Sequence, residues 1–261
     1  MSESTVFEAR DVTVHFGGIR ALDGVSFGLT SNRIFGLLGP NGSGKSTLLG
    51  AMTGLVRLTG GSFKFHGAAY GTQSAATIAR RGVARTFQTV RLVPGLTVRE
   101  NIQLASDRPG ALAAAGAHRL RGARRRRAAA DQAERAMELT GLDGMGGLRP
   151  SELPYGTQRR VEIARAIAAR PRLLLLDEPT AGMNARERRE IADLLRRLRG
   201  EGLAQLLVEH DVDMMVATCD HLLAMNSGRL IASGAPTQVV RNPLVEEAYL
   251  GGTGAGDAAR Q

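Results

Sequence analysis

The order of apolar and polar positions predicts an α/β protein that opens with β-structure. Residues 6–14 and 25–29 alternate apolar with polar side chains, which is the period of strands that bury one face. The run at 33–38 lacks that alternation and predicts a short buried strand. A second such run, residues 173–176, consists of four leucines. We therefore expect a β segment at the N-terminus and a buried parallel sheet after it.

The stretch from about residue 92 to residue 167 is helical in pattern and rich in alanine. Near its end, Val161, Ala164 and Ile167 recur at helical spacing and predict one apolar face. The second buried run follows directly. This order predicts a helical subdomain inserted into the sheet-forming core.

Short polar motifs predict where further helices and turns lie. Thr97 and Asn184 are each followed three residues later by a glutamate, Glu100 or Glu187, as in the capping box at a helix N-terminus. Residues 226–229 have the sequence Asn-Ser-Gly-Arg and predict a hairpin turn between two short strands.

A glycine-rich segment after the first buried run matches the pattern G-x-x-x-x-G-K-[ST]. In that pattern backbone N–H groups converge on phosphates, Lys45 reaches the β- and γ-phosphates, and Ser46 offers its hydroxyl to Mg²⁺. Lys45 is one of two lysines among thirty-four basic residues, so a compact ammonium is kept here. The alternative is a glycine-rich turn that binds nothing. The expected nucleotide-binding residues are Gly39, Pro40, Asn41, Gly42, Ser43, Gly44, Lys45, Ser46 and Thr47.

Two adjacent carboxylates end the second buried run. Because α/β sheets bind ligands at the carboxyl ends of their strands, Asp177 and Glu178 are expected beside the phosphate loop. Asp177 is the natural group to hold Mg²⁺, and Glu178 is placed to act as general base on an attacking water. Taken alone, the pair would be an ordinary acidic turn.

Residues 153–166, LPYGTQRRVEIARA, form a glycine-containing loop followed by a helix, which makes a second anion-binding helix terminus. One nucleotide does not need two such termini from one subunit, so the second is expected to reach the γ-phosphate bound by a neighbouring copy. With this segment the chain resembles the ATP-binding-cassette (ABC) ATPases over nearly its whole length.

The resemblance implies an α/β fold of a particular kind. It consists of a P-loop nucleotide-binding core of ABC ATPase type, an N-terminal antiparallel β subdomain and an inserted α-helical subdomain at about 92–167. Residues 1–251 would form a single domain, and residues 252–261 a flexible C-terminal tail.

The resemblance also gives roles to side chains whose own patterns leave alternatives. Gln88 is expected to contact Mg²⁺ or the attacking water, although an exposed glutamine by itself indicates nothing. His210, at the end of the next strand, would hold Glu178 and the water in line; a lone histidine before a helix cap is more often a surface residue. Phe16 would stack on adenine, although its pattern alone favours the core.

These roles complete the expected site of an ATPase that uses ATP and Mg²⁺. Tyr155, Gly156 and Thr157 would contact the nucleotide across a subunit interface. The expected catalytic residues are Glu178, His210, Gln88 and Lys45, and the expected metal-binding residues are Ser46, Gln88 and Asp177.

Some residues depart from the wider family pattern. Pro154 and Tyr155 stand where serine and glycine are usual, Thr157 replaces a common glutamine, and Asn184 stands where many members have aspartate. These departures affect the residues that are expected to close the dimer. The same segments, residues 84–92 and the segment ending at 248–251 resemble the corresponding parts of the ATPase subunits of branched-chain amino acid importers.

That closer resemblance implies a subunit that powers import of branched-chain amino acids or related small polar solutes. Its partners would be transmembrane permease subunits, a second ATPase subunit, identical or different, and indirectly an extracytoplasmic solute-binding protein. Related cassettes serve urea or amide import or lipopolysaccharide export. A nucleic-acid-associated cassette ATPase and a regulatory protein that binds ATP but barely hydrolyses it are the alternatives from other classes.

Composition favours a soluble engine on the cytoplasmic face of a membrane. The 261 residues are 43% hydrophobic, yet they contain no run near the roughly eighteen apolar residues that span a bilayer. Residues 1–5 lack a charged region leading into an apolar segment, so we expect no export signal. Cys219 is the only cysteine, which excludes an intrachain disulfide and suits a reducing compartment.

The net charge of +9 is concentrated in part between residues 108 and 127, which hold seven arginines and no acid. Such a block could meet anionic lipid, a permease loop or nucleic acid. A solvated insertion explains it as well, and we expect no nucleic-acid partner.

Overall fold

The computed structural model describes residues 4–71, 73–106 and 118–251. The strands of this part are β1 Thr5–Phe16, β2 Ile19–Thr30, β3 Ile34–Leu38, β4 Gly60–Phe65, β5 Ala68–Tyr70, β6 Val83–Arg85, β7 Leu173–Asp177, β8 Ala204–Val208, β9 His221–Asn226 and β10 Arg229–Gly234. The helices are α1 Lys45–Met52, α2 Ala75–Arg81, α3 Val98–Ser106, α4 His118–Thr140, α5 Tyr155–Ala168, α6 Ala185–Gly200, α7 Val212–Thr218, α8 Pro236–Val240 and α9 Pro243–Gly251.

An antiparallel sheet in the order β2-β1-β4-β5 forms the N-terminal layer. The strands β1 and β2 confirm the prediction from alternation. The pattern missed β4 and β5, which join this sheet after the phosphate loop, because each is too short to show a clear period. Aromatic side chains hold them in place: the ring of Phe7 in β1 lies 5.0 Å from that of Phe63 and 5.5 Å from that of Tyr70.

The second sheet has the order β10-β9-β3-β8-β7-β6. The pairs β3/β8, β3/β9, β7/β8 and β6/β7 are parallel, whereas β10 runs antiparallel to β9 at the edge. The leucines 173–176 are fully buried, as predicted for a strand covered on both faces. The carboxyl ends of β3, β6, β7 and β8 therefore lie along one edge of this sheet.

The helices α3, α4 and α5 form the inserted subdomain. Val98, Ile102, Ala133 and Val161 bury their side chains in a cluster shared with β3, β7 and α6. Both predicted capping boxes are present: Glu100 accepts a hydrogen bond from the Thr97 N–H, and Glu187 accepts one from the Asn184 N–H.

Two sequence predictions fall largely outside the described residues. Of the seven arginines between 108 and 127, only Arg127 has a described side chain, and the tail at 252–261 is not described. No helix among the described residues is long and apolar enough to cross a membrane.

Candidate active site

The phosphate loop connects β3 to α1 and needs glycine at two positions. Gly39 has φ +153°, and a Cβ there would lie 2.3 Å from the Met225 carbonyl oxygen and 2.5 Å from Ser43 Oγ. Gly44 has φ +104°, and its Cβ would lie 2.6 Å from the Ala21 carbonyl oxygen. Since any side chain would collide with backbone, the loop can keep this path only with glycine.

Lys45 is held inside this loop. Its side chain is 7% exposed, and Nζ donates to the carbonyl oxygens of Gly39 at 2.6 Å and Pro40 at 2.9 Å. Burial lowers the pKa of Lys45, while Glu178 and Asp177 act in the opposite direction. Ser43 Oγ is buried with no hydrogen-bond partner among the described residues. An unpaired buried hydroxyl beside a fixed ammonium fits an oxyanion such as phosphate.

Glu178 lies between Gln88 and His210. Its Oε2 accepts a hydrogen bond from Gln88 Nε2 at 2.8 Å, and its Oε1 lies 2.8 Å from His210 Nε2. The three residues follow β6, β7 and β8, which are neighbours in the sheet, so the topology brings them to one place. Since β8 ends at Val208, His210 lies two residues beyond the strand rather than at its end.

The backbone of Glu178 is also unusual. It adopts φ +47°, in the left-handed region, and its N–H donates to the Val208 carbonyl at 2.9 Å. A non-glycine residue in this conformation costs on the order of 1–3 kcal/mol, and such costs are concentrated at functional sites. The turn therefore places the carboxylate at the expense of local stability.

Asp177 has a partner that the sequence interpretation missed. Its Oδ2 lies 2.8 Å from Arg85 Nη2, and the two side chains are 14% and 12% exposed. The Arg85 guanidinium also lies 5.3 Å from the ring centre of Phe87. An arginine that ends a strand was the available signal, but pairing it with Asp177 required knowing that β6 and β7 are adjacent.

Glu209 is a second missed residue. It is 4% exposed, and its Oε1 accepts from the Thr180 backbone N–H at 2.8 Å and from Thr180 Oγ1 at 2.7 Å. Burial raises the pKa of Glu209. The contact ties the turn after Glu178 to the segment that carries His210.

Arg159 connects the loop of Gln88 to α5. Its side chain is fully buried and donates to the carbonyl oxygens of Phe87 at 2.6 Å and Gln88 at 2.5 Å, and to Glu162 Oε2 at 2.6 Å. Any shift of α5 relative to the sheet would therefore pull on the backbone of Gln88.

The oxygen donors expected to hold Mg²⁺ fit a hard cation. Ser46 is exposed and offers a hydroxyl, and Asp177 offers a carboxylate. Because Gln88 Nε2 donates to Glu178, the amide oxygen is the atom of Gln88 that remains for a cation. Hydroxyl, amide and carboxylate oxygens suit Mg²⁺, which takes few protein ligands and retains water or phosphate oxygens.

The remaining predicted contacts lie on exposed surfaces or at a helix terminus. Phe16 is 52% exposed at the end of β1, so the alternative that it belongs to the core is wrong. Helix α5 begins at Tyr155, which is 42% exposed, and Pro154 gives it no side-chain cap. Gly156 is buried, and a Cβ at this position would lie 3.0 Å from Glu187 Oε1.

Thr157 is 8% exposed, and its hydroxyl accepts from Arg160 Nη2 at 3.2 Å. Among the hydrogen bonds and ion pairs of the described residues, none joins Tyr155, Gly156 or Thr157 to the phosphate loop. Within one chain, the start of α5 and the phosphate loop are thus two separate elements.

Comparison with known proteins identifies the family. The family described as "ABC transporter" matches residues 22–181, and the one described as "Branched-chain amino acid ATP-binding cassette transporter" matches residues 229–255. The chain is 37% identical over 249 residues to the high-affinity branched-chain amino acid transport ATP-binding protein BraF of Pseudomonas aeruginosa, covering 94% of this chain and 98% of that one. It is 37% identical over 245 residues to LivG of Escherichia coli, which carries the same description, covering 91% and 94% of the two chains.

Solved structures agree. The ADP conformation of MJ1267, an ATP-binding cassette of an ABC transporter, matches with a TM-score of 0.82 at 28% identity, covering 95% of this chain and 99% of that one. The dimeric post-hydrolysis structure of the ATP-binding cassette MJ0796, bound to ADP and Pi, matches with a TM-score of 0.71 at 26% identity, covering 88% and 98% of the two chains. The fold, the phosphate loop and these relatives agree, and the chain belongs to the ABC transporter family as an ATP-binding cassette ATPase.

Proposed function

We propose that this chain is the ATP-hydrolysing subunit of an importer for branched-chain amino acids or related small polar solutes. The observation that carries the proposal is Glu178, hydrogen-bonded by Gln88 and His210 at the sheet edge where the phosphate loop begins. The match of residues 229–255 to a branched-chain amino acid cassette family and the similarity to BraF and LivG support the solute class.

ATP binding is assigned to the phosphate loop and the tip of β1. Residues 39–47 of the loop, with the amides after Pro40 and the Lys45 ammonium, bind the phosphates, and the start of α1 directs its positive dipole end at them. Phe16 stacks on adenine with its exposed ring. Ser46, Gln88 and Asp177 would hold Mg²⁺, which supplies positive charge to the phosphate oxygens when bound.

Hydrolysis is assigned to the cluster around Glu178. The two hydrogen bonds leave the Glu178 carboxylate little freedom to rotate, so it accepts a proton from water in one orientation. His210, whose side chain is 48% exposed, reaches the open side of the site and can contact the γ-phosphate there.

A second cassette completes the site. Tyr155, Gly156 and Thr157 begin α5 without a side-chain cap, which suits the γ-phosphate of a nucleotide bound by an opposing subunit. Since the Thr157 N–H donates to the Pro154 carbonyl at 3.0 Å, the amides of Tyr155 and Gly156 are the ones offered to that phosphate. The dimeric structure of MJ0796 with ADP and Pi supports this arrangement. The opposing subunit is either a second copy of this chain or a related ATPase.

Permease subunits have a matching surface beside Gln88. A groove of about 470 Å³ lies between α2, α3 and α5, with apolar walls that include Ile78, Phe87 and Ala166. Leu55 and Leu104 line it and are 60% and 51% exposed, which is unusual for leucine. We assign this groove to a permease segment at the cytoplasmic face of the membrane. An extracytoplasmic solute-binding protein would contact the permease, not this chain.

Transport into membrane vesicles tests the proposal. The chain is co-expressed with permease and solute-binding subunits from its own genome, and ATP-driven uptake of labelled leucine and urea is measured, with the Glu178→Gln variant as control. Uptake of leucine that the variant lacks supports the proposal. Uptake of urea alone, or phosphate release stimulated only by DNA or RNA at physiological salt, contradicts it.

A further inference from the structure

The last described helix reaches the start of the phosphate loop. Tyr249 in α9 accepts a hydrogen bond on its hydroxyl oxygen from Gly39 N–H at 3.0 Å, although the two residues are 210 positions apart. The Tyr249 ring packs against the buried cluster that includes Leu38, the residue before Gly39. Packing of the partly buried ring against this cluster therefore directs the hydroxyl at Gly39.

Gly39 links Tyr249 to Lys45 within the phosphate loop. Its carbonyl oxygen accepts the 2.6 Å hydrogen bond from Lys45 Nζ, so Gly39 is held by Tyr249 on one side and itself holds Lys45 on the other. Backbone space is tight here, since φ is +153° and no Cβ fits. A change in the position of Gly39 is therefore transmitted to the Lys45 ammonium.

A second contact joins the middle of the loop to the C-terminal part of the chain. Gly228, in the turn between β9 and β10, donates its N–H to the Ser43 carbonyl at 3.0 Å and accepts from Asp23 N–H at 2.9 Å. Arg229 binds Asp23 Oδ2 through Nε at 2.9 Å and Nη2 at 2.7 Å. The C-terminal segment beginning at residue 228 thus contacts the loop at its start, Gly39, and in its middle, Ser43.

We propose that Tyr249 is a positioning residue for nucleotide binding, whose hydroxyl keeps the phosphate loop in the conformation that receives phosphate. The C-terminal segment, matched at 229–255 to its own family, acquires a role in this way. The inference rests on the proposed function of the loop as the ATP site. If the hydroxyl is lost, the loop spends less time in the binding conformation, and the apparent affinity falls by that fraction.

The Tyr249→Phe variant tests this, because it removes only the hydroxyl. The Kd for Mg-ATP and the KM for ATP should rise about two- to tenfold, the range expected for one neutral hydrogen bond, while kcat at saturating ATP stays within about twofold. Tyr70→Phe is the matched control. The Tyr70 hydroxyl is buried and donates to the Met52 carbonyl at the far end of α1, so its loss should lower Tm without changing the affinity for ATP.

Three results would overturn the proposed role of Tyr249. An unchanged Kd in Tyr249→Phe overturns the proposal, and so does a loss of affinity that Tyr70→Phe reproduces with the same drop in Tm, since this would show a general structural effect. A lower kcat with unchanged KM also overturns it. Lys45→Ala in the same assay tests the proposed function of the loop separately from the role of Tyr249. If Lys45→Ala binds ATP as tightly as the wild type, the loop is not the ATP site, whatever the result for Tyr249→Phe.

Discussion

Glu178 illustrates how one residue combines cost and function. Its left-handed backbone is unfavourable, yet it directs the carboxylate to Gln88 and His210. A neighbouring residue with an ordinary backbone, Asp177, instead pairs with Arg85. At this scale the contacts of Glu178 with Gln88 and His210 occur in a backbone conformation that residue type alone would not favour.

Replacing Glu178 with glutamine should separate binding from hydrolysis. Glutamine keeps the size and one oxygen but cannot take a proton, so we expect hydrolysis to fall on the order of 10²-fold or more with ATP binding retained. Steady-state phosphate release and equilibrium binding of Mg-ATP measure the two. Near-normal turnover would remove Glu178 from the role of general base.

The buried carboxyl of Glu209 should make stability depend on pH. Because burial raises the pKa of Glu209 above its ordinary value of 4.5, the folded state holds this proton more tightly than the unfolded state does. The protonated Glu209 carboxyl therefore contributes to the free energy of unfolding. This contribution is complete below pH 4.5 and is lost as pH rises through the pKa of Glu209 in the folded state. Glu209→Gln should therefore gain stability relative to wild type as pH rises above 4.5.

Thermal unfolding of both proteins from pH 4.5 to pH 8 checks this expectation. Because other buried acids titrate in both proteins, the difference in Tm between them is the quantity to compare. A difference that does not change with pH would show that Glu209 has no raised pKa in the folded state.

At the scale of elements, hydrogen bonds made by single side chains join loops to the helices and turns beside them. Arg159 joins the Gln88 loop to α5, and Glu209 joins the turn after β7 to the segment after β8. Asn184 begins α6 by accepting from the N–H groups of Arg186 and Glu187 at 2.9 and 3.0 Å.

Removing the cap of α6 should lower stability by a predictable amount. Asn184→Ala loses both hydrogen bonds, and caps of this type contribute about 0.5–2 kcal/mol to the free energy of unfolding. Asn184→Asp is the matched control, since its carboxylate can accept the same bonds and suits the positive helix terminus. Urea denaturation of the three proteins measures the difference, and equal losses in both variants would contradict the capping role.

At the scale of the whole molecule, the uncapped start of α5 and the phosphate loop are separate elements of one chain. Their separation is the physical reason to expect function in a dimer. On the proposed function, a single chain would offer Lys45 and Glu178 to one nucleotide and Tyr155 to another.

Blocking hydrolysis should therefore reveal the dimer. We expect Glu178→Gln with Mg-ATP to run as a dimer of cassettes in light scattering, either alone or when a related ATPase and the permease subunits are supplied. Lys45→Ala under the same conditions should remain undimerised because it lacks bound nucleotide. A nucleotide-bound monomer under all of these conditions would contradict the shared site.

Much of this molecule follows from local pattern. The buried runs at 34–38 and 173–176, the phosphate loop, both capping boxes and the hairpin turn at 226–229 depend on neighbours within a few residues, so periodicity and motif spacing were enough to predict them. The grouping of Gln88 and His210 with Glu178 came from the resemblance to ABC ATPases and not from a local pattern, and the structure places the three side chains in contact.

The sequence by itself determined which residues carry charge, where the glycine-rich loop lies and which segments are buried strands, because these properties belong to single residues or short segments. Only the tertiary structure showed why Gly39 and Gly44 must be glycine, since the carbonyl oxygens that a Cβ would meet there belong to Met225 and Ala21. Only the tertiary structure decided that Arg85 pairs with Asp177, that Glu209 is buried against Thr180, and that Tyr249 reaches Gly39. The last contact joins residues 210 positions apart. Such partners are chosen by the order of strands in the sheet and the docking of the last helix, and no local pattern encodes either.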